Sequence, residues 1–133
     1  MKLLLDTHIW LWSLLEPERL TPRVATALEA ADTELWLSPI SIWETLMLAD
    51  KDRIALEPSP LAWTREQIAR LPFRQAAVTH EVALQTSHVD LAHRDPADRF
   101  IVATAQVYEL TLVTADRRLV DVPRLSVLSN LDR

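Results

Sequence analysis

Apolar and polar positions fall in short blocks along the chain, and the blocks predict strands and helices in turn. Lys2 to Leu5 is a brief apolar run ending on Asp6, as expected of a parallel strand buried on both faces. Ile9 to Leu15 predicts a helix that stops before Pro17. Thr21-Pro22 sets a capping hydroxyl before a proline in the first turn and opens a helix through Val24 to Ala31. Glu34 to Leu37 reads as a second strand, and Ser38-Pro39 repeats the helix-opening signal for a helix to about Asp50. Within it Ile40, Trp43 and Met47 are three and four apart, a stripe expected to face the core with Glu44 at its edge.

Pro58 and Pro60 punctuate a loop, and a helix follows from Ser59 or Pro60 to about Arg70. Gln75 to Val78 predicts a weak third strand, and Thr79 to about Gln85 a short helix. Asp95-Pro96 opens a helix to about Glu109. Thr111 to Thr114 predicts a strand running into Ala115-Asp116, and Leu125 to Leu128 a final strand. Strand and helix alternating in this way predict an α/β fold, a parallel sheet covered by helices on both faces. Ligands of such sheets bind beyond the carboxyl ends of the strands, where strand order reverses. Asp6 and Asp116 both stand just past a predicted strand end.

Length adds that residues 1–133 suffice for a single domain, and 49% apolar residues can fill its core. The chain has no cysteine, which excludes disulfides, thiolate metal sites and cysteine nucleophiles. It has no glycine either, which excludes phosphate-binding loops in which backbone must approach the ligand closely. No run reaches the roughly 20 apolar residues of a membrane span, and Asp6 and His8 interrupt the apolar N-terminal stretch. A cytoplasmic protein with no membrane association is expected. A net charge of −5 disfavours a protein that coats nucleic acid more than it disfavours an enzyme acting on it.

Singly, each acid has a structural explanation. Asp6 and Asp116 suit caps, Asp95 caps the helix before Pro96, Asp98 stands three residues later, and Ser41-x-x-Glu44 matches a capping box. Together they point elsewhere. Two carboxylates about 5 Å apart repel by about 3 kcal/mol at an effective dielectric of 20. Six such pairs would cost on the order of 20 kcal/mol, above the roughly 5–15 kcal/mol that stabilises a whole domain. Four gathered carboxylates therefore need cations, shared protons or basic neighbours, and Mg²⁺ or Mn²⁺ suits hard oxygen ligands. Such a site serves phosphodiester hydrolysis.

Four segments then carry a family resemblance: Leu4-Leu5-Asp6-Thr7-His8, the run Ser38 to Glu44, the run Asp95 to Ala105, and Leu112-Val113-Thr114-Ala115-Asp116. In this order, over nearly the whole chain, they resemble the PIN-domain proteins, and closely the VapC-type toxins of toxin–antitoxin pairs. The resemblance implies an α/β/α sandwich with a parallel five-stranded sheet and a Mg²⁺- or Mn²⁺-dependent endoribonuclease. It also implies an RNA substrate, a cognate antitoxin that inhibits the enzyme, and a homodimer. By motif it makes Asp6, Asp98 and Asp116 the principal metal ligands, with Glu44 holding a metal-associated water or a second ion. Thr114 would orient Asp116 or a water, and Asp95, first of all a cap, would be an accessory ligand.

Arg94, Arg99, Arg117 and Arg118 flank the acids, and guanidinium grips phosphate well. Arg99 and Arg117 are the preferred RNA contacts, with charge balance around the acids as the other reading. No histidine is expected to act as general base. Most of the five tryptophans are expected in the core. The competing function is a catalytically degenerate binding or regulatory module, whose mark would be a missing acid; all four are present. Receiver-like and haloacid-dehalogenase-like readings are disfavoured, the first because Lys2 and Lys51 are the only lysines, the second because no aspartate stands at position 8.

Overall fold

The architecture is seen in a computed structural model, which describes residues 1–70 and 72–131. Five strands, β1 (Lys2–Leu5), β2 (Glu34–Leu37), β3 (Arg74–Gln75), β4 (Thr111–Thr114) and β5 (Val127–Ser129), form one sheet in the order β3-β2-β1-β4-β5. Every pairing is parallel. Between the strands run α1 (Thr7–Leu15), α2 (Pro22–Glu29), α3 (Pro39–Asp50), α4 (Pro60–Arg70), α5 (His80–Gln85) and α6 (Pro96–Tyr108).

The period-two alternation of β1 sorts the core into two halves. Leu4 enters the cluster of Val82 from α5, Ile101 and Val102 from α6, and Leu112 from β4. Leu3 and Leu5 enter the other, with Ile9 and Trp10 from α1, Val24 from α2, and Val113. Register keeps the sorting consistent across the sheet, because Leu4 pairs with Trp36 and Leu112 while Leu5 pairs with Val113. Layers of helix thus cover both faces, as an α/β/α sandwich requires.

Helix starts follow their chemistry. Thr21, Ser38 and Asp95 each accept a hydrogen bond from a backbone N–H of the first turn, at 3.3, 3.0 and 3.0 Å, and each precedes a proline. The end of α6 turns on Glu109 at φ 56°, a left-handed position that glycine usually takes and that this chain fills without one. Asp52 and Arg124 occupy the same region at φ 57° and 63°.

Three expectations shift. The third strand covers Arg74–Gln75 rather than Gln75 to Val78, because its partner β2 ends at Leu37 where Ser38-Pro39 begins α3. The last strand begins at Val127, after the left-handed Arg124, once the Ser126 carbonyl has accepted from Leu112 N–H at 2.8 Å. Trp43 is 53% exposed, and the positions of α3 that are fully buried are Ser41 and Thr45. Small hydroxyl side chains take the closest approach there, with Thr45 Oγ1 donating to the Ser41 carbonyl at 2.8 Å.

The strand order places β1 at the topological switch point, with β2 on one side and β4 on the other. The crevice beyond the carboxyl ends of β1 and β4 is where such a fold binds ligands. Asp6 N–H donates to the Val113 carbonyl at 2.9 Å, so the strand ladder continues into the first residue of that crevice.

Candidate active site

A cleft of ≈ 340 Å³ opens at this point, lined by Asp6, His8, Trp12, Glu44, Asp95, Asp98, Ala115, Asp116 and Arg118. Four separate elements bring the acids together. Asp6 follows β1, Glu44 sits midway along α3, Asp98 lies in the first turn of α6, and Asp116 follows β4.

Asp6 is buried, and both its oxygens are engaged. Oδ1 accepts from Thr7 N–H at 2.9 Å and Oδ2 from Thr114 Oγ1 at 2.7 Å. Thr114 Oγ1 in turn accepts from Asp116 N–H at 3.0 Å, which leaves its own proton for Asp6. One hydroxyl therefore fixes the carboxylate of the first acid and the backbone of the last. Burial pushes the Asp6 carboxyl above its ordinary range, the Thr114 hydrogen bond opposes this, and the nearby Asp98 adds to it.

Glu44 accepts a short hydrogen bond from Thr7 Oγ1, and Ser41 Oγ lies 2.9 Å from the same oxygen. A carboxylate only accepts, so the single Thr7 proton goes to Glu44 and Ser41 is the donor to Thr7. The Glu44 carboxyl is raised by burial first, lowered by Thr7, and raised further by Asp6, Asp98 and Asp95.

Asp98 Oδ2 accepts from His93 Nε2 at 2.8 Å and stands 3.5 Å from Arg118 Nη2. Its carboxyl is raised by burial, against the lowering effect of His93. Asp116 differs. Its Oδ1 accepts from the N–H and Nε of Arg118 at 2.9 and 3.0 Å, and its Oδ2 from Nη2 at 2.8 Å. Arg118 holds this carboxyl below the ordinary range, with a smaller opposing effect of burial.

Asp95 does two things at once, capping α6 through Ala97 N–H and lining the cleft. Arg99 is not brought to the cleft. Its Nη1 donates to the carbonyls of Thr86 and Val89 at 3.2 and 2.7 Å, tying α6 to the turn after α5. Arg117 is exposed and does not line the cleft, whereas its neighbour Arg118 does. Sequence reasoning gave no site role to Thr7, Ser41 or His93, and it named Arg118 among the flanking arginines without preferring it. Their one signal is adjacency, Thr7 directly after Asp6 and Arg118 two residues after Asp116.

Among the described residues, no three His, Asp or Glu side chains form a ready-made metal cage. Each of the four acids is engaged by a hydroxyl, imidazole or guanidinium partner. The donor set still fits a hard cation. Every ligand it offers is a carboxylate oxygen, and Mg²⁺ is ordinarily held by one or two carboxylates with several waters rather than by a closed protein cage.

Fold and cleft together define an α/β protein with an acid-lined crevice at the switch point of a parallel sheet. Residues 3–125 match the PIN domain, and the chain belongs to that family. It is 39% identical to Ribonuclease VapC22 from Mycobacterium tuberculosis over 119 residues, 87% of this chain and 88% of that protein. Its fold is shared with VapBC2 from Rickettsia felis bound to a promoter DNA fragment, at TM-score 0.74 and 16% identity over 97% of this chain and 98% of that one. The DNA-bound VapBC of Salmonella typhimurium gives TM-score 0.71 at 22% identity, over 98% and 99% of the two chains. Among the described residues, no helix is long and apolar enough to cross a membrane.

Proposed function

We propose that this chain is a divalent-metal-dependent endoribonuclease, the toxin of a toxin–antitoxin pair. The observation that carries the reading is the convergence of Asp6, Glu44, Asp98 and Asp116 on one cleft from four separate elements. Its likeness to a protein named as a ribonuclease supports RNA as substrate. The presence of all four acids favours activity over a degenerate module.

In this reading Asp6, Asp98 and Asp116 hold Mg²⁺ or Mn²⁺, directly or through water, and Glu44 holds a water or a second ion. When bound, the metal supplies a Lewis acid that activates water and offsets charge developing on the phosphate. The residues themselves supply position. Thr114 aligns Asp6 with Asp116, the Ser41–Thr7 pair aims Glu44, and His93 fixes Asp98. The exposed Arg117, at the turn after β4, is the candidate contact for RNA phosphate.

A protein partner finds support elsewhere on the surface. Pro39, Ile42, Trp43 and Leu46 of α3 line an apolar groove of ≈ 390 Å³ with Ile68 of α4 and Phe73. Trp43 and Ile68 there are 53% and 51% exposed, and an apolar patch of this kind marks a protein contact. The cognate antitoxin is the partner we assign to this protein, by analogy with its fold relatives in VapBC complexes, and the homodimer that the family resemblance implies remains part of the same proposal.

Incubation of the purified protein with a pool of structured and single-stranded RNAs, in EDTA, Mg²⁺ or Mn²⁺, tests the reading. Cleavage that requires metal and disappears in Asp6→Asn is the expected result. Neither cleavage nor metal-linked thermal stabilisation would sink it in favour of the degenerate module.

A further inference from the structure

Arg118 makes its contacts on the oxygens that a cation needs. Its Nε and Nη2 grip Asp116 at 3.0 and 2.8 Å, and Nη2 also lies 3.5 Å from Asp98 Oδ2. One positive group of the chain thus occupies both Asp116 oxygens and faces one of Asp98. The residue is also placed for exchange. Its side chain is 58% exposed, while the next residue in the same 3₁₀ turn, Leu119, is fully buried and anchors the backbone. The guanidinium can leave for water without unpacking any core contact.

We propose that Arg118 is a resident counter-ion that closes the metal-free cleft and must withdraw from Asp98 and Asp116 before a divalent cation settles there. This inference rests on the metal-dependent reading above. Two cations that compete for one set of oxygens are coupled with negative sign, so loosening Arg118 tightens the metal and the metal loosens Arg118. No other arginine or lysine lines the cleft among the described residues. With Arg118 gone, no arginine or lysine lining the cleft would offset the negative charge of Asp98 and Asp116, beside that of Asp6, Glu44 and Asp95.

The test is Mn²⁺ titration of the full chain and of Arg118→Gln, read by calorimetry and by metal-dependent thermal melting. The expected result is Mn²⁺ binding on the order of tenfold tighter in Arg118→Gln. Arg118→Lys, which keeps the charge but loses the planar fork, should fall between the two. Equal or weaker Mn²⁺ binding by folded Arg118→Gln overturns the counter-ion role and leaves the metal site standing. Should Arg118→Gln fail to fold, Arg118→Lys decides alone, with tighter binding than wild type supporting the role and equal or weaker binding overturning it. Binding of Mn²⁺ by none of the proteins overturns this inference together with the metal-dependent reading.

Discussion

On one wall of the cleft Asp6 and Glu44 rest on neutral donors, the hydroxyls of Thr114 and Thr7 and a backbone N–H. On the other, Asp98 and Asp116 rest on His93 and Arg118. The neutral wall is built from the ends of the two central strands and the buried side of α3, so its geometry is set by the core. The other wall is built from the first turn of α6 and the 3₁₀ turn after β4, where the 58% exposed Arg118 reaches in from solvent. A neutral donor orients a carboxylate and leaves its charge in place, whereas a cation cancels the charge and competes for its oxygens. The difference separates fixed alignment from exchangeable charge compensation.

The comparison breaks first at Asp6. Asp6→Asn keeps the shape of the fixed wall but removes its charge, and RNA cleavage should fall on the order of 10²–10³-fold while the fold persists. Circular dichroism beside the cleavage assay separates that outcome from unfolding. Thr114→Val strikes the same wall through its alignment. It strands Asp6 Oδ2 and Asp116 N–H, which should cost about 1–3 kcal/mol of stability. Metal affinity or activity should drop about 10–100-fold, as for other groups that orient a metal ligand. A Thr114→Val protein that binds metal normally would deny the hydroxyl its aligning role.

A pH titration of the metal-free protein sharpens the contrast. Asp6, Glu44 and Asp98 have folded values raised above the ordinary 3.8, 4.5 and 3.8, first by burial. Their contribution to stability is complete below those ordinary values and is lost as pH rises through the raised ones. Asp116, held low by Arg118, works in the opposite sense, contributing above 3.8 and losing its contribution as pH falls through its depressed value. With three groups against one, melting temperature should decline as pH climbs through the raised carboxyl range. Asp6→Asn should make that decline shallower, and a slope identical to wild type would contradict the burial account. The smallest effect lies outside both walls. Glu109→Gly relieves the left-handed residue at the end of α6 and should add about 1 kcal/mol of stability with cleavage unchanged.

Much of the framework was legible because its signals are local. Ser38-Pro39 and Asp95-Pro96 mark helix starts by capping chemistry, and Asp6 and Asp116 declare themselves by following apolar strands. The orientation of α3 was not legible, since its most buried positions, Ser41 and Thr45, are hydroxyl residues that a hydrophobic periodicity counts as polar. Trp43 then looked like core and is surface. The place of Arg99 was hidden for a related reason. Arg99 sits beside Asp98 in sequence, but the helix turns its guanidinium toward the Thr86 and Val89 carbonyls. Arg118 reaches the acids only because the chain after β4 makes a 3₁₀ turn.

The bond between Thr114 and Asp6 joins residues 108 apart in the chain. At translation rates of about 5–20 residues per second, the hydroxyl leaves the ribosome's catalytic centre roughly 5–20 seconds after the carboxylate it must hold. Throughout that interval β1 lacks the neighbour that β4 will provide, and Asp116 is still to come. A growing chain therefore carries no assembled cleft beside the translation machinery. The acids meet only when synthesis has passed β4, so the timing of the last strands sets the timing of the site.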